Sequence, residues 1–203
     1  MSDLDPAVQA LLDKSEITEL LTRYLRAIDR GDIAALRACY ADGATEEHGG
    51  IYAGPAQGYI DTIEAALRHP RAVGTHTLSN VLIDLAGDRA LSEHYVLAMT
   101  RVKVDGVVRD CLVASRIIDD LERHDGRWLI ARRRLRFDWS QELGPRPEKW
   151  VGGQLDPAKL LHGAKFPDDP VYDGIRAESP DDALFSAESA GKTVSAGASG
   201  VTS

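Results

Sequence analysis

Cysteine is scarce in this chain, with Cys39 and Cys111 the only two in 203 residues, and they form no Cys-x-x-Cys pair. That removes a disulfide framework and a thiolate metal site, and leaves two small buried side chains in a reduced compartment as the reading. Long apolar runs are missing as well. Nothing approaches the ~20 continuous apolar residues of a membrane span, and the opening MSDLDPAVQA has neither the basic start nor the apolar centre of a signal peptide. A soluble, cytoplasmic protein with no membrane partner is expected. There is no Gly-x-Gly-x-x-Gly and no P-loop, so no nucleotide cofactor is expected, nor any other. Basic residues are outnumbered, 24 Lys and Arg against 32 Asp and Glu, and the net charge of -8 argues against nucleic acid as a partner. The run Arg132-Arg133-Arg134-Leu135-Arg136 is the one feature to weigh against that.

What is present fits one ordinary globular domain with an extension: 43% of residues are hydrophobic and 28% charged. Periodic apolar residues stop near residue 140, which sets a domain over 1–140. From 141 to 177 prolines and glycines break the chain, yet Trp150, Leu155, Leu160, Leu161, Phe166, Val171 and Tyr172 remain as anchors that must lie against the domain or a neighbouring subunit. Residues 178–203 are Ala, Ser, Gly and acid, and read as a mobile tail.

Within the first 140 residues helices come first and strands later. Ile17, Leu20, Leu21, Tyr24, Leu25 and Ile28 recur at helical spacing, with Tyr24 inside the stripe and Asp29 on its border, a place that fits either a cavity or water. Asp32 suits the N-cap of a short second helix to about Tyr40, and Gly54-Pro55 precedes a third that ends before Pro70. A short Gly-broken strand pair fits 44–53. Four longer strands follow, roughly 75–86, 89–104, 107–121 and 127–139, separated by Gly87-Asp88, Asp105-Gly106 and Asp125-Gly126. This order predicts an α+β fold: a cone-shaped, curved antiparallel sheet with three helices enclosing a pocket.

Several residues carry chemistry into such a pocket. His76, at the start of a strand, with Asp29 on its other nitrogen, makes a general base and its orienter that needs no metal. His94 alternates with Ser92, Val96 and Ala98 on one face of its strand, against Leu91, Tyr95, Leu97 and Met99 on the other, and the pattern leaves open which face lines the pocket. In the last strand Leu129, Ala131, Arg133, Leu135, Phe137 and Trp139 share a face by alternation. An arginine there needs an anion: a buried carboxylate, a substrate acid or phenolate, or a partner's acid. His48 follows Glu46-Glu47 in the short hairpin. No His-x-His or His-Glu-x-x-His spacing makes a metal site of Glu46, Glu47, His48 and His76, so no metal is expected.

The helix Tyr24-Leu25-Arg26-Ala27-Ile28-Asp29, the strand start His76-x-x-x-Asn80, the hairpin Glu122-Arg123-His124-Asp125-Gly126-Arg127-Trp128 and the ending Arg133-Arg134-Leu135-Arg136-Phe137-Asp138-Trp139 together resemble the nuclear transport factor 2-like superfamily. More narrowly they resemble its SnoaL-like branch, which includes scytalone dehydratase, bile acid 7α-dehydratase and hexachlorocyclohexane dehydrochlorinase. The resemblance covers about residues 10 to 140. It implies a cone-shaped domain, no cofactor, and elimination chemistry by an Asp and His dyad, often in a trimer. Asp29 and His76 fall at the dyad's positions, Tyr24 matches a tyrosine five residues before the aspartate, and His94, Arg133, His48 and Asn80 are secondary pocket candidates. The expected function is a cofactor-independent lyase for a hydrophobic aromatic or polycyclic small molecule, a dehydratase or a retro-aldol enzyme. An isomerase and a non-catalytic binding or assembly domain are the alternatives. A homo-oligomer is expected, trimer first and dimer second.

Overall fold

Asp5 caps the N-terminus of the first helix by accepting from the Ala7 N–H, and Pro6 occupies its first turn, so α1 runs Pro6–Arg30, starting well before the apolar stripe. The computed structural model describes residues 5–69, 74–104, 106–144 and 162–173. Trp150, Leu155, Leu160, Leu161 and the expected tail at 178–203 lie outside the described residues. The chain divides into two units, Met1–Tyr172, which holds the α-helices and the sheet, and Asp173–Ser203.

Gly31 ends α1 in the left-handed region at φ 66, where a Cβ would sit 2.6 Å from the Leu67 carbonyl oxygen. Only glycine fits that close approach. Asp32 then caps α2 (Ile33–Arg37), accepting from the Ala35 N–H at 3.0 Å. The second helix is shorter than its sequence suggests, because Tyr40 already belongs to a strand and pairs with Ile130. β1 (Tyr40–His48) and β2 (Tyr52–Pro55) form the small hairpin, α3 spans Ala56–Leu67, and the long strands are β3 (Gly74–Ala86), β4 (Arg89–Val104), β5 (Val107–His124) and β6 (Arg127–Gly144).

The sheet order is β2-β1-β6-β5-β4-β3. β3 to β6 form the antiparallel meander that the turn residues predict. β1 pairs with β6 in parallel, a long-range contact that no local signal announces. The curved, unclosed sheet packs its inner face on the helices around Ile17, Leu21, Leu25, Leu36, Ile60, Leu121 and Ile130. Burying a side chain of this kind contributes roughly 1.5–3 kcal/mol, so this face holds the fold together.

Register shifts decide which side chains face inward. In β3 the register shifts between Ser79 and Leu82, and Asn80 takes φ 49 there. Gly74, His76 and Leu78 before the bulge, and Val81, Ile83 and Leu85 after it, consequently all turn toward the core. In β6 the register shifts by one residue between Ile130 and Arg132. Trp128 and Ile130 face inward before this shift, and Arg133 and Leu135 after it. Simple alternation, which grouped Leu129 and Ala131 with Arg133, is corrected by that extra residue, and a further shift across Asp138 parts Trp139 from Phe137.

Candidate active site

The inner face of the sheet leaves a cavity of about 260 Å³ between β1, β3 to β6 and the C-terminal half of α1. Its wall is mostly apolar, with Leu25, Ile28, Ile51, Val96, Ala98, Val113, Ile117, Leu135 and Phe137, and its polar groups are Tyr24, His48, His76, Thr100, Ser115 and Arg133. A few polar groups in an apolar wall is the composition of a small-molecule site. A larger depression, about 430 Å³, lies between α1, α2 and the β5–β6 turn, but Glu16, Glu19, Arg23, Arg26 and Arg127 line it and neither of these imidazoles reaches it.

The structure brings Asp29 and His76 together. Asp29 Oδ1 is 2.6 Å from His76 Nδ1, and Asp29 Oδ2 accepts from the His76 backbone N–H at 3.1 Å. One carboxylate therefore grips both the ring and the strand that carries it, and the other ring nitrogen is left for the cavity. Asp29 is half-buried at the end of the helix, so the border position in the stripe resolves toward His76, which lines the cavity, rather than toward water. The last carbonyls of α1, which have no partner within the helix, are met from the segment 162–173: Lys165 Nζ donates to the Asp29 carbonyl at 2.8 Å and the Phe166 N–H to that of Arg30 at 2.7 Å. Arg30 also pairs with Asp169.

Arg133 finds its anion in Asp119, the residue opposite it in β5. Nε and Nη2 donate to the two carboxylate oxygens at 2.8 and 2.7 Å, a bidentate pair with both side chains almost wholly buried. Burial works against the guanidinium's charge, but Asp119 and the neighbouring phenols outweigh it and hold Arg133 firmly protonated. Its Nη1 is buried without a hydrogen-bond partner. The guanidinium carbon sits 3.8 Å from the centroid of the Tyr24 ring. Burial raises the Tyr24 phenol above its ordinary value, which keeps it a donor, and its hydroxyl lies 3.4 Å from that of Tyr40.

His48 has its own carboxylate. Nδ1 lies 2.9 Å from Oε1 of buried Glu46, whose Oε2 accepts from the Tyr40 hydroxyl at 2.7 Å. Tyr59 stacks on the imidazole, with centroids 4.4 Å apart and planes at 23°. Glu47, which the sequence grouped with these two, turns away to pair with Arg136. Among the described residues no three His, Cys, Asp or Glu side chains converge in a way that holds a metal ion.

Two secondary candidates do not reach the cavity. Asn80 is exposed, because it is the bulge residue of β3 and its side chain leaves the inner face. His94 does lie on the inward face of β4, but the cavity runs only along the Val96, Ala98 and Thr100 end of that strand. His94 itself is fully buried, with neither ring nitrogen hydrogen-bonded. Burial pushes it down to about 4, Asp119 opposing this and Arg133 adding to it. An unfolded histidine titrates near 6.5, so between these values the unfolded chain binds the proton more readily. Stability is therefore expected to fall as pH drops from about 6.5 to about 4, by up to about 3 kcal/mol. Urea unfolding at pH 7 and pH 4.5 checks this: His94→Gln should show a smaller acid loss, and an unchanged one would acquit His94.

The sequence offered little for Glu46, Tyr40, Tyr59 and Asp119. Asp119 alone had a signal, since alternation in β5 sets it on the face of Ser115, Ile117 and Leu121, all buried.

Comparison with known proteins gives the same frame. A SnoaL-like domain model matches residues 9–134. No curated protein matches in sequence at a significant level. Among solved structures, a scytalone dehydratase-like protein from Novosphingobium aromaticivorans is 18% identical, covers 69% of this chain and 93% of its own, and superposes with a TM-score of 0.60. The type 3 hexachlorocyclohexane dehydrochlorinase LinA from Novosphingobium barchaimii is 19% identical over 68% of this chain and 94% of its own, with a TM-score of 0.59. A protein of unknown function from Mycobacterium tuberculosis is 23% identical over 66% of this chain and 76% of its own, with a TM-score of 0.54. At these identities the structures speak for the fold, and the domain match, which spans more than half of the chain, speaks for the family. On that match, and on the curved sheet with its helices, the chain belongs to the family of SnoaL-like domains within the NTF2-like fold.

Proposed function

We propose that this protein is a cofactor-independent lyase that eliminates water or another small group from a hydrophobic, ring-bearing molecule. The observation that carries the reading is the Asp29–His76 pair at 2.6 Å beside an apolar cavity that His76, Tyr24 and Arg133 line, with Nη1 of Arg133 left without a partner. Neutral His76 takes a proton from a substrate carbon, while Asp29 holds the Nδ1 proton and balances the imidazolium's charge. Tyr24 donates to the leaving oxygen or to a carbonyl becoming enolate, and Arg133 Nη1 meets the negative charge that develops. The apolar wall excludes water and strengthens both contacts. At about 260 Å³ the cavity lies just below the usual ~300–1,000 Å³ of ligand sites, which favours one or two rings over a larger polycycle.

The test is incubation of hydroxylated one- and two-ring ketones in D2O, followed by NMR. Loss of water, or deuterium entering beside the carbonyl in a His76-dependent way, supports proton abstraction; exchange without loss of a group points to an isomerase. Tight binding with neither would make the cavity a carrier's. Because the chemistry moves only protons, turnover is expected to survive EDTA and dialysis unchanged. Loss that one metal restores would shift attention to Glu46 and His48.

Assembly belongs to the same proposal. Leu91, Tyr95 and Leu97 expose an apolar stripe on the outer face of β4, which suits a homo-oligomer, trimer first. Light scattering should give a mass above the monomer's. Cutting the chain after Gly144, which removes the contacts of Lys165 and Phe166 with the end of α1, should weaken assembly or substrate turnover. A strictly monomeric full-length protein would remove the oligomer from the account.

A further inference from the structure

The cavity holds a second imidazole–carboxylate pair that the elimination scheme leaves idle. Glu46 is buried, and its Oε1 lies 2.9 Å from His48 Nδ1. Its other oxygen is fixed by the Tyr40 hydroxyl at 2.7 Å, so the carboxylate cannot turn away. A carboxylate in that place selects the Nδ1–H tautomer of the neutral ring. The remaining nitrogen, Nε2, has Tyr59 Oη at 3.0 Å. That contact is a hydrogen bond, and the Tyr59 ring stacks on the imidazole with centroids 4.4 Å apart. His48 lines the cavity and its side chain is 24% exposed, so a bound molecule can compete with Tyr59 for Nε2.

The two pairs sit on different walls. His76 is on β3, at one edge of the sheet, and His48 ends β1, close to the other edge, with β6, β5 and β4 between them. Both imidazoles line the same cavity, so one small molecule can meet both.

We infer that His48 is the second proton-transfer residue of this site: oriented by Glu46, it delivers the proton that the leaving group requires while His76 removes one from carbon. This deepens the elimination reading and rests on it. The step balances without a further reagent. The substrate C–H bond breaks and its proton goes to His76 Nε2; the electron pair becomes the new π bond, and the bond to the leaving oxygen breaks. That oxygen takes the proton from Nε2 of a His48 imidazolium. His76 ends protonated and His48 neutral, and both rings, partly open to solvent, exchange protons with water to reset. Glu46 is a positioning residue that acts through His48.

Two measurements on the full chain decide this. The first needs no substrate: nitrogen NMR of the histidine rings should find neutral His48 as the Nδ1–H tautomer, altered by Glu46→Gln and kept in Tyr59→Phe. A proton on Nε2 of neutral His48 would overturn the proposal. The second uses 1,2-benzisoxazole and its 5-nitro derivative as probes, since removal of the proton on carbon 3 turns the C–N unit into a nitrile, breaks the N–O bond of both and releases a phenolate. The nitro phenolate needs little protonation and the unsubstituted one much more. His48→Gln should lower kcat/KM for the unsubstituted compound about tenfold or more, and for the nitro compound by less than about threefold. Equal losses for the two compounds, or none, would overturn His48 as the acid. His76→Ala should lower both by about a hundredfold; if it does not, the elimination reading itself fails, whatever the tautomer result. No turnover of either compound by the unaltered protein counts against both.

Discussion

Asp29→Asn and His76→Ala are each expected to lower turnover of the elimination substrate by about two to four orders of magnitude while the protein stays folded. The asparagine variant is the more informative. Asp29 Oδ1 lies on His76 Nδ1 and Oδ2 receives the His76 backbone N–H, so an amide in that place must turn its oxygen to one and its NH2 to the other. With the NH2 toward Nδ1, the ring carries its proton on Nε2 and has no lone pair for the substrate. With the oxygen toward Nδ1, the backbone N–H loses its acceptor and the imidazolium its counter-charge. The first arrangement removes the base and the second weakens it, and neither changes the volume. The side chains are 15% and 19% exposed, at the edge of the core, so thermal unfolding should move little. Steady-state kinetics beside a melting curve reads both quantities. Near-normal turnover in either variant would rule out the dyad.

Asp119→Ala should cost about 3–5 kcal/mol of stability, because it strands the Arg133 guanidinium in the interior with its charge uncompensated. The pair is bidentate at 2.8 and 2.7 Å and almost wholly buried, so water cannot replace the lost carboxylate. The Tyr24 ring offers the cation a face 3.8 Å away, which offsets only a small part. Replacing both partners, with Leu at 119 and Met at 133, should recover much of the loss, since neither charge then needs solvation. Urea unfolding of the single and double variants measures this. A single-variant loss below about 1 kcal/mol would mean that the pair is open to solvent.

The local sequence was enough for every element whose signal lies within a few residues. The stripe from Ile17 to Ile28, the Asp32 cap and the Gly-Asp and Asp-Gly turns placed α1, α2 and the β3 to β6 meander, because caps, hairpin turns and periodicity are short-range physics. Asp29, His76 and Tyr24 were legible as candidates for a different reason: a carboxylate on the border of an apolar stripe and a histidine opening a strand match the SnoaL-like pattern in their order along the chain. Tertiary structure decided the rest. The parallel pairing of β1 with β6 joins residues about ninety positions apart, and it is what brings Glu46 beside Arg133 and His48 to the cavity that His76 also lines. The bulge between Ile130 and Arg132 turns Arg133 inward without leaving a mark in the hydrophobic pattern, and the bulge at Asn80 sends that side chain out while keeping His76 and Ile83 on one face. A one-residue shift reverses every side chain beyond it, so the facing of a strand depends on its register with neighbours distant in sequence. Burial followed the same logic. His94 and Asp119 share with the cavity residues the alternation of their strands, and only the packing of helices on the curved sheet separates the core end of a strand from the end that lines a cavity.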